Sequence, residues 1–263
     1  MGKHHLPVVM FLGLSGVLLV GADLRAQTFG DILDKVGKAA GIGTTGTASG
    51  SSSSDADLSG LSSSKVSTAL KQALSIGVEE GVEKLSAEDG FFKNELVKIL
   101  MPEELRRVEA TLRTIGLGSL ADEGVKLFNR AAEDAVSESA PIFADAIKSI
   151  SFDDAKHILL GGDNAATDYL EAKTSERLYD AFEPKVKNSL GKVGADSVWK
   201  RLTTTYNSFT GKKVTTDLNR YVTEQTIKGV FKMVAEKEAG IRNNPVFRTT
   251  SVLRDVFGVL DNR

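Results

Sequence analysis

Four short stretches gather side chains that can move a proton, hold an ion or fix a ligand. In Asn129-Arg130-Ala131-Ala132-Glu133 an amide and a carboxylate lie four residues apart among alanines. On a helix that spacing puts both on one face. If the face points inward, both groups need partners, and Arg130 or another arginine can supply one. The outcome is a structural polar network, or a binding or acid/base site on a buried carboxylate. Glu238 and Arg242 form an i,i+4 pair in the favourable order near the end of a long helical stretch. That is a surface pair, or a contact reaching Glu133 or the chain near residue 163.

The third stretch runs from Gly161-Gly162-Asp163-Asn164 through Ala165-Ala166-Thr167-Asp168 to Tyr169. A glycine pair leads into a helix start lined by small residues, and exposed backbone N–H groups there can hold an anion. Asp163 or Asn164 can instead cap the helix, and the aspartates of the stretch would repel an anion. The fourth is Asp153 with His157, four apart on one short helix. This reads as an i,i+4 surface pair or as a histidine favoured by a helix C-terminus. His157 is also the one imidazole after residue 26, so any Ser-His-Asp triad must use it.

Several chemistries are excluded. The 263 residues contain no cysteine and three histidines, two of them His4 and His5. Cysteine nucleophiles and thiolate-held clusters are therefore ruled out, and zinc, which prefers histidine and cysteine, is a poor fit. An oxygen-ligated calcium or magnesium site stays open. Phosphate-binding loops, dinucleotide fingerprints and the Gly-x-Ser-x-Gly elbow are missing from the sequence. No cofactor is expected.

The first 26 residues have the layout of an export signal. Lys3, His4 and His5 precede an apolar run from Leu6 to Val20, and small residues follow, with cleavage expected after Ala26 or Ala22. The run is shorter than the roughly 20 residues of a membrane span. Cleavage takes 33 basic and 35 acidic residues to 31 and 34, since Lys3, Arg25 and Asp23 leave. Such a balance argues against nucleic acid as a partner. A periplasmic or secreted chain without an integral span or lipid-bearing cysteine is expected, with a ligand or an envelope protein as its partner.

Residues 27–40 read as a short amphipathic helix, with Phe29, Ile32, Leu33 and Val36 on one face. Residues 41–60, rich in Gly, Ser and Thr, read as a flexible linker. The helix then docks loosely on its own domain or frays, or serves as a docking element for a partner or a membrane surface. Residues 61–260 carry helical periodicity throughout, with Gly77 and Gly81 set for close packing against a neighbouring helix. Expected helices span 61–86, 102–115, 119–150 with Ser119 as cap, Asp122 at its third position and a kink or restart at Pro141, and 151–160. Others follow from 163 or 164 to Pro184, at 185–193, at 195–209, at about 215–242 and at 250–260. Residues 91–101 are expected to be extended. The fold class is all-α: an irregular multi-helix bundle in a single domain.

The sequence resembles a bacterial domain-of-unknown-function family, number 4197. The likeness rests on Asn129-Arg130-Ala131-Ala132-Glu133, on Asp154-Ala155 with Ile158-Leu159 and Gly161, and on Ala165-Ala166-Thr167 with Tyr169. It continues in Tyr221-Val222, in Gly229-Val230-Phe231 leading to Glu238 and Ile241-Arg242, and in Leu253 with Val256-Phe257-Gly258. It covers about residues 61–260. The resemblance implies an exported helical protein and brings no established activity, cofactor or catalytic residue. Asn129, Arg130, Glu133, Asp154, Thr167, Tyr169, Glu238 and Arg242 are thus the candidate ligand or polar-network residues. Three functions remain open: a non-enzymatic binding protein, a carboxylate-dependent hydrolase-like enzyme with Glu133 in its site, and a carrier of an apolar ligand or lipid.

Overall fold

The computed structural model describes residues 61–192, 195–211 and 217–262. The export signal, the amphipathic segment and the Gly/Ser/Thr-rich run lie outside them. Among the described residues there are nine α-helices and no strand, in one domain: α1 (Ser63–Ser86), α2 (Glu103–Thr114), α3 (Gly118–Val136), α4 (Ser139–Ser149) and α5 (Phe152–Leu160), then α6 (Ala165–Lys192), α7 (Ala195–Thr210), α8 (Leu218–Asn243) and α9 (Ser251–Phe257). Two 3-10 turns, Pro245–Phe247 and Gly258–Asn262, flank α9. The long α6 packs on α8, α3 and α4, while α1 lies against α8, α4, α5 and α9. One continuous apolar core joins them.

The two glycines of α1 do what their spacing predicts. A β-carbon on Gly77 would lie 3.3 Å from that of Lys237, and one on Gly81 would lie 3.7 Å from that of Met233. These pairs run in opposite directions, so α1 and α8 are antiparallel neighbours at close range.

Three expected elements differ. The stretch 119–150 is two helices, which is the restart among the two outcomes expected at Pro141, and Pro141 sits in the first turn of the second, where its missing N–H costs nothing; what differs is the cap. Ser119 is not the cap of α3. Helix α2 ends in a Schellman motif: Gly116 at φ 79° donates to the Arg113 carbonyl, and Leu117 N–H donates to that of Leu112. Leu117 is thereby fixed and α3 starts directly after it, while Asp122 pairs with Arg113 instead. Second, α6 runs on to Lys192 through Pro184, absorbing the helix expected at 185–193. An internal proline disfavours a helix by about 3 kcal/mol or more. Leu178, Phe182, Val186 and Leu190 form one buried stripe across it, and Pro184 and Asp180 both face solvent, where water can satisfy the freed carbonyl.

Third, residues 87–102 are not an extended strand. They form an irregular strap of turns across α3 and α8. The Phe91 ring lies so close to Gly229 that a β-carbon there would sit 2.6 Å from it. Gly90 is tighter still, with the Lys84 and Leu85 carbonyl oxygens 2.3 and 2.6 Å from the place of a β-carbon. Backbone cannot yield as a flexible side chain can. Gly90→Ala is therefore expected to lose about 1–3 kcal/mol of stability in urea unfolding. Gly162→Ala, where no atom stands within 4 Å, is the matched control and is expected to stay near wild type.

Candidate functional site

The eight candidate residues fall into two buried clusters and a surface cap. The first cluster fastens the strap. Glu133 is buried on α3, and its Oε1 accepts from the backbone N–H groups of Phe91 (3.0 Å) and Phe92 (3.1 Å). Its Oε2 accepts from Arg130 Nη1, and Arg130 Nη2 donates to both Asp89 and Glu88. Asp89 is in the left-handed region at φ 67° and also pairs with Lys93 at 2.7 Å. The Lys93 ammonium and the Arg130 guanidinium hold its carboxyl below the usual carboxylate range. One turn before Glu133, Asn129 clasps the backbone of Ile99. Its Oδ1 accepts from Ile99 N–H and its Nδ2 donates to Ile99 C=O, both at 2.8 Å, with a further bond to Val125 C=O. The amide thus replaces the strand partner that Ile99 lacks.

The second cluster closes helix ends. Glu238 and Arg242, four apart on α8, are not a surface pair: each side chain is 5% exposed. Glu238 Oε1 accepts from Ala166 N–H at 2.9 Å, and Oε2 accepts from Thr167 N–H and Thr167 Oγ1 at 2.8 Å. Those are the amides at the start of α6 that a local cap normally satisfies. Glu238 therefore takes the capping part expected of Asp163 or Asn164. The anion-binding N-terminus read from 161–169 exists, and the chain supplies its own anion. Arg242 Nε donates to Glu238 Oε1 at 2.8 Å, and its two terminal nitrogens donate to the Leu159 and Ile158 carbonyls at the end of α5.

Arg248 extends this cluster, and sequence reasoning did not single it out. It is 2% exposed, donates to the Ile241 and Arg242 carbonyls that end α8, and forms a two-pronged pair with Asp261 at 2.6 and 2.7 Å. The one signal available was an arginine three residues after Asn244-Pro245, placed to meet the open carbonyls of the preceding helix.

Asp154 lies at the surface side of α5 in the expected capping box with Ser151. The Ser151 hydroxyl and N–H hold its carboxyl below the ordinary range. The half-buried Tyr169 hydroxyl stands 3.5 Å from it, and burial, then the Asp154 charge, pushes the phenol upward. His157 is exposed in the last turn of α5. The clusters do not converge on one cleft: one serves the strap and the other serves the helix ends.

Chemically, both buried carboxylates have their oxygens engaged by backbone N–H groups and an arginine. A void of about 20 Å³ lies beside Glu238 and Arg242, lined by Leu70, Leu74 and Val234. That is room for one water at most. An apolar ligand needs several hundred Å³. Among the described residues no group of three or more His, Asp or Glu is placed to hold a metal ion, and no helix is long and apolar enough to cross a membrane.

Two predictions follow the buried ions. Removing one member of a buried pair strands the other, which costs about 3–5 kcal/mol. Arg242→Met and Glu238→Leu are each expected to lose that much in urea unfolding, and the double variant well under the sum. Additive losses would show that the two side chains act independently. The Arg248 guanidinium holds the Asp261 carboxyl below the usual range. A depressed carboxylate contributes stability above its unfolded pKa of about 3.9, and that contribution fades as pH falls through the folded value. Asp261→Asn should therefore lower the urea midpoint at neutral pH, and its deficit against wild type should shrink below about pH 4.

No match was found among curated proteins or among solved structures. The family described as "Protein of unknown function (DUF4197)" matches residues 60–258, which contain both clusters and the strap. The chain belongs to that family of unknown function.

Proposed function

We propose that this is an exported, non-enzymatic helical domain that works by binding a protein partner of the cell envelope through its outer surface. The observation that carries the reading is the pairing of Glu133, Asn129, Glu238 and Arg242. The polar groups best suited to chemistry hold backbone in place. A general acid or base needs an oxygen free to meet substrate, and these carboxylates have none spare. The void beside Glu238 is too small for an apolar ligand. The groove of about 570 Å³ between α3 and α7 is open and lined mostly by polar and charged side chains such as Glu123, Lys200, Arg201 and Thr204, which does not favour an apolar-ligand carrier. Apolar side chains offered to the outside support a surface role: Leu96, Leu100, Phe152, Val246 and Phe247 are all at least 40% exposed.

Export follows from the sequence pattern of residues 1–26. The test is to express the whole chain with its own leader and recover it from the envelope fraction. Intact mass is expected to show loss of residues 1–22 or 1–26. Native mass spectrometry of the same sample is expected to show the chain bound to a protein at fixed stoichiometry, with the complex retained in Glu133→Gln. A co-purifying lipid or metal, or a chain still carrying its leader, would overturn the reading.

A further inference from the structure

The turn Pro245–Phe247 is unusual in being both stiff and apolar. Pro245 fixes one backbone angle, and the Asn244 side chain accepts from Val246 N–H at 3.0 Å. Arg248, directly after the turn, is held from below by the end of α8 and by Asp261. The Phe247 ring lies 3.5 Å from the place of a β-carbon on Gly240. On this footing Val246 is 83% exposed and Phe247 46% exposed. A rigid scaffold presenting an aliphatic and an aromatic side chain loses little entropy on binding, which is what an anchor requires.

The described chain begins close by. α1 is antiparallel to α8, and Gln72 Oε1 meets the Thr250 hydroxyl at 2.9 Å, while Lys65 pairs with Asp255 at 2.7 Å. From Ser62 to Gln72 is about 15 Å of helix, so the turn lies on the order of 15–25 Å from where the chain enters α1. A chain of Gly/Ser/Thr composition and 20 residues has a typical reach of about 25 Å. Residues 41–60 have that length and composition, and before them come Phe29, Ile32, Leu33 and Val36 at helical spacing.

We infer that the segment 27–40 docks in cis on the Val246–Phe247 turn. The short tether holds the segment at a local concentration of the order of millimolar, so even a small apolar contact is populated. This goes beyond the surface-binding role proposed above and does not depend on identifying the partner.

The absence of cysteine makes a clean test possible. The full chain, exported with its own leader, is prepared as L33C/V246C and as the control L33C/L117C, which uses another exposed leucine at the α2–α3 junction. Under mild oxidation L33C/V246C is expected to close an intramolecular disulfide at least about tenfold faster than the control. In the cysteine-free chain, Phe247→Ser and Ile32→Ser are each expected to speed trypsin cleavage after Lys35 and Lys38 severalfold, with the melting curve of the domain unchanged. Equal closure rates with unchanged proteolysis would overturn the inference. So would disulfides that form between chains only, which would assign the turn to a second copy.

Discussion

Helix ends are the constraint on which this structure depends. A helix leaves backbone donors open at its start and acceptors open at its end, and burying them unpaired costs more than most single contacts return. The nine helices of the described residues, packed in one small domain, force several such ends toward the core. The pair Glu238–Arg242 resolves two at once. Its carboxylate receives the first amides of α6, where the helix dipole favours a negative charge, and its guanidinium takes the last carbonyls of α5, where the dipole favours a positive one. The Gly161-Gly162 connection between α5 and α6 can therefore be short, and it stays exposed while the two helix ends it joins are closed by α8. Arg248 applies the same solution to α8 itself.

The strap poses the same problem without helices. Residues 87–102 cross α3 and α8 with irregular backbone, so their amides and carbonyls have no ladder to join. Glu133 receives two consecutive N–H groups and Asn129 both polar groups of Ile99. Because those partners sit one turn apart on α3, the strap is fixed in register along that helix. Glycine supplies the clearance, at Gly90 within the strap and at Gly229 beneath the Phe91 ring. The charged groups and the glycines are one device: the ions fix the backbone, and the missing β-carbons let it lie close enough to be fixed.

Much of this was legible in the sequence, and its limits are physical. Periodicity located α1, α2, α5, α8 and α9, and local rules found the Ser151–Asp154 capping box and the close contact at Gly77 and Gly81, because both depend on residues a turn or two apart. Asn129 and Glu133 were recognisable as inward polar groups needing partners. Arg130 was legible as a partner of Glu133, but the backbone partners, 30 to 42 residues away, were not. The strap read as extended from its short apolar runs Phe91-Phe92 and Leu96 to Met101, although a carboxylate and an amide on α3 take the place of a neighbouring strand. Pro184 misled for the opposite reason: a local rule was overruled by a buried stripe that only tertiary packing creates. Ser119 failed as a cap because the Schellman motif of α2 had already fixed Leu117.

The same accounting bears on why the family-like residues read as a site. Buried, paired carboxylates, an asparagine and arginines among small residues are the raw materials of catalysis and equally of architecture. What separates the two is the state of their lone pairs. A catalytic carboxylate keeps an oxygen turned toward a space where substrate can sit, whereas Glu238 turns both oxygens to amides, a hydroxyl and an arginine, beside a void no larger than one water. To act on a substrate it would have to release the start of α6 and the end of α5 together. That is a local unfolding event, not a side-chain rotation, and it would also leave the Arg242 guanidinium uncompensated in the core. The polar residues therefore determine the shape of the domain, and the side chains left for contacts beyond it are those the architecture pushes outward, Val246 and Phe247 most of all.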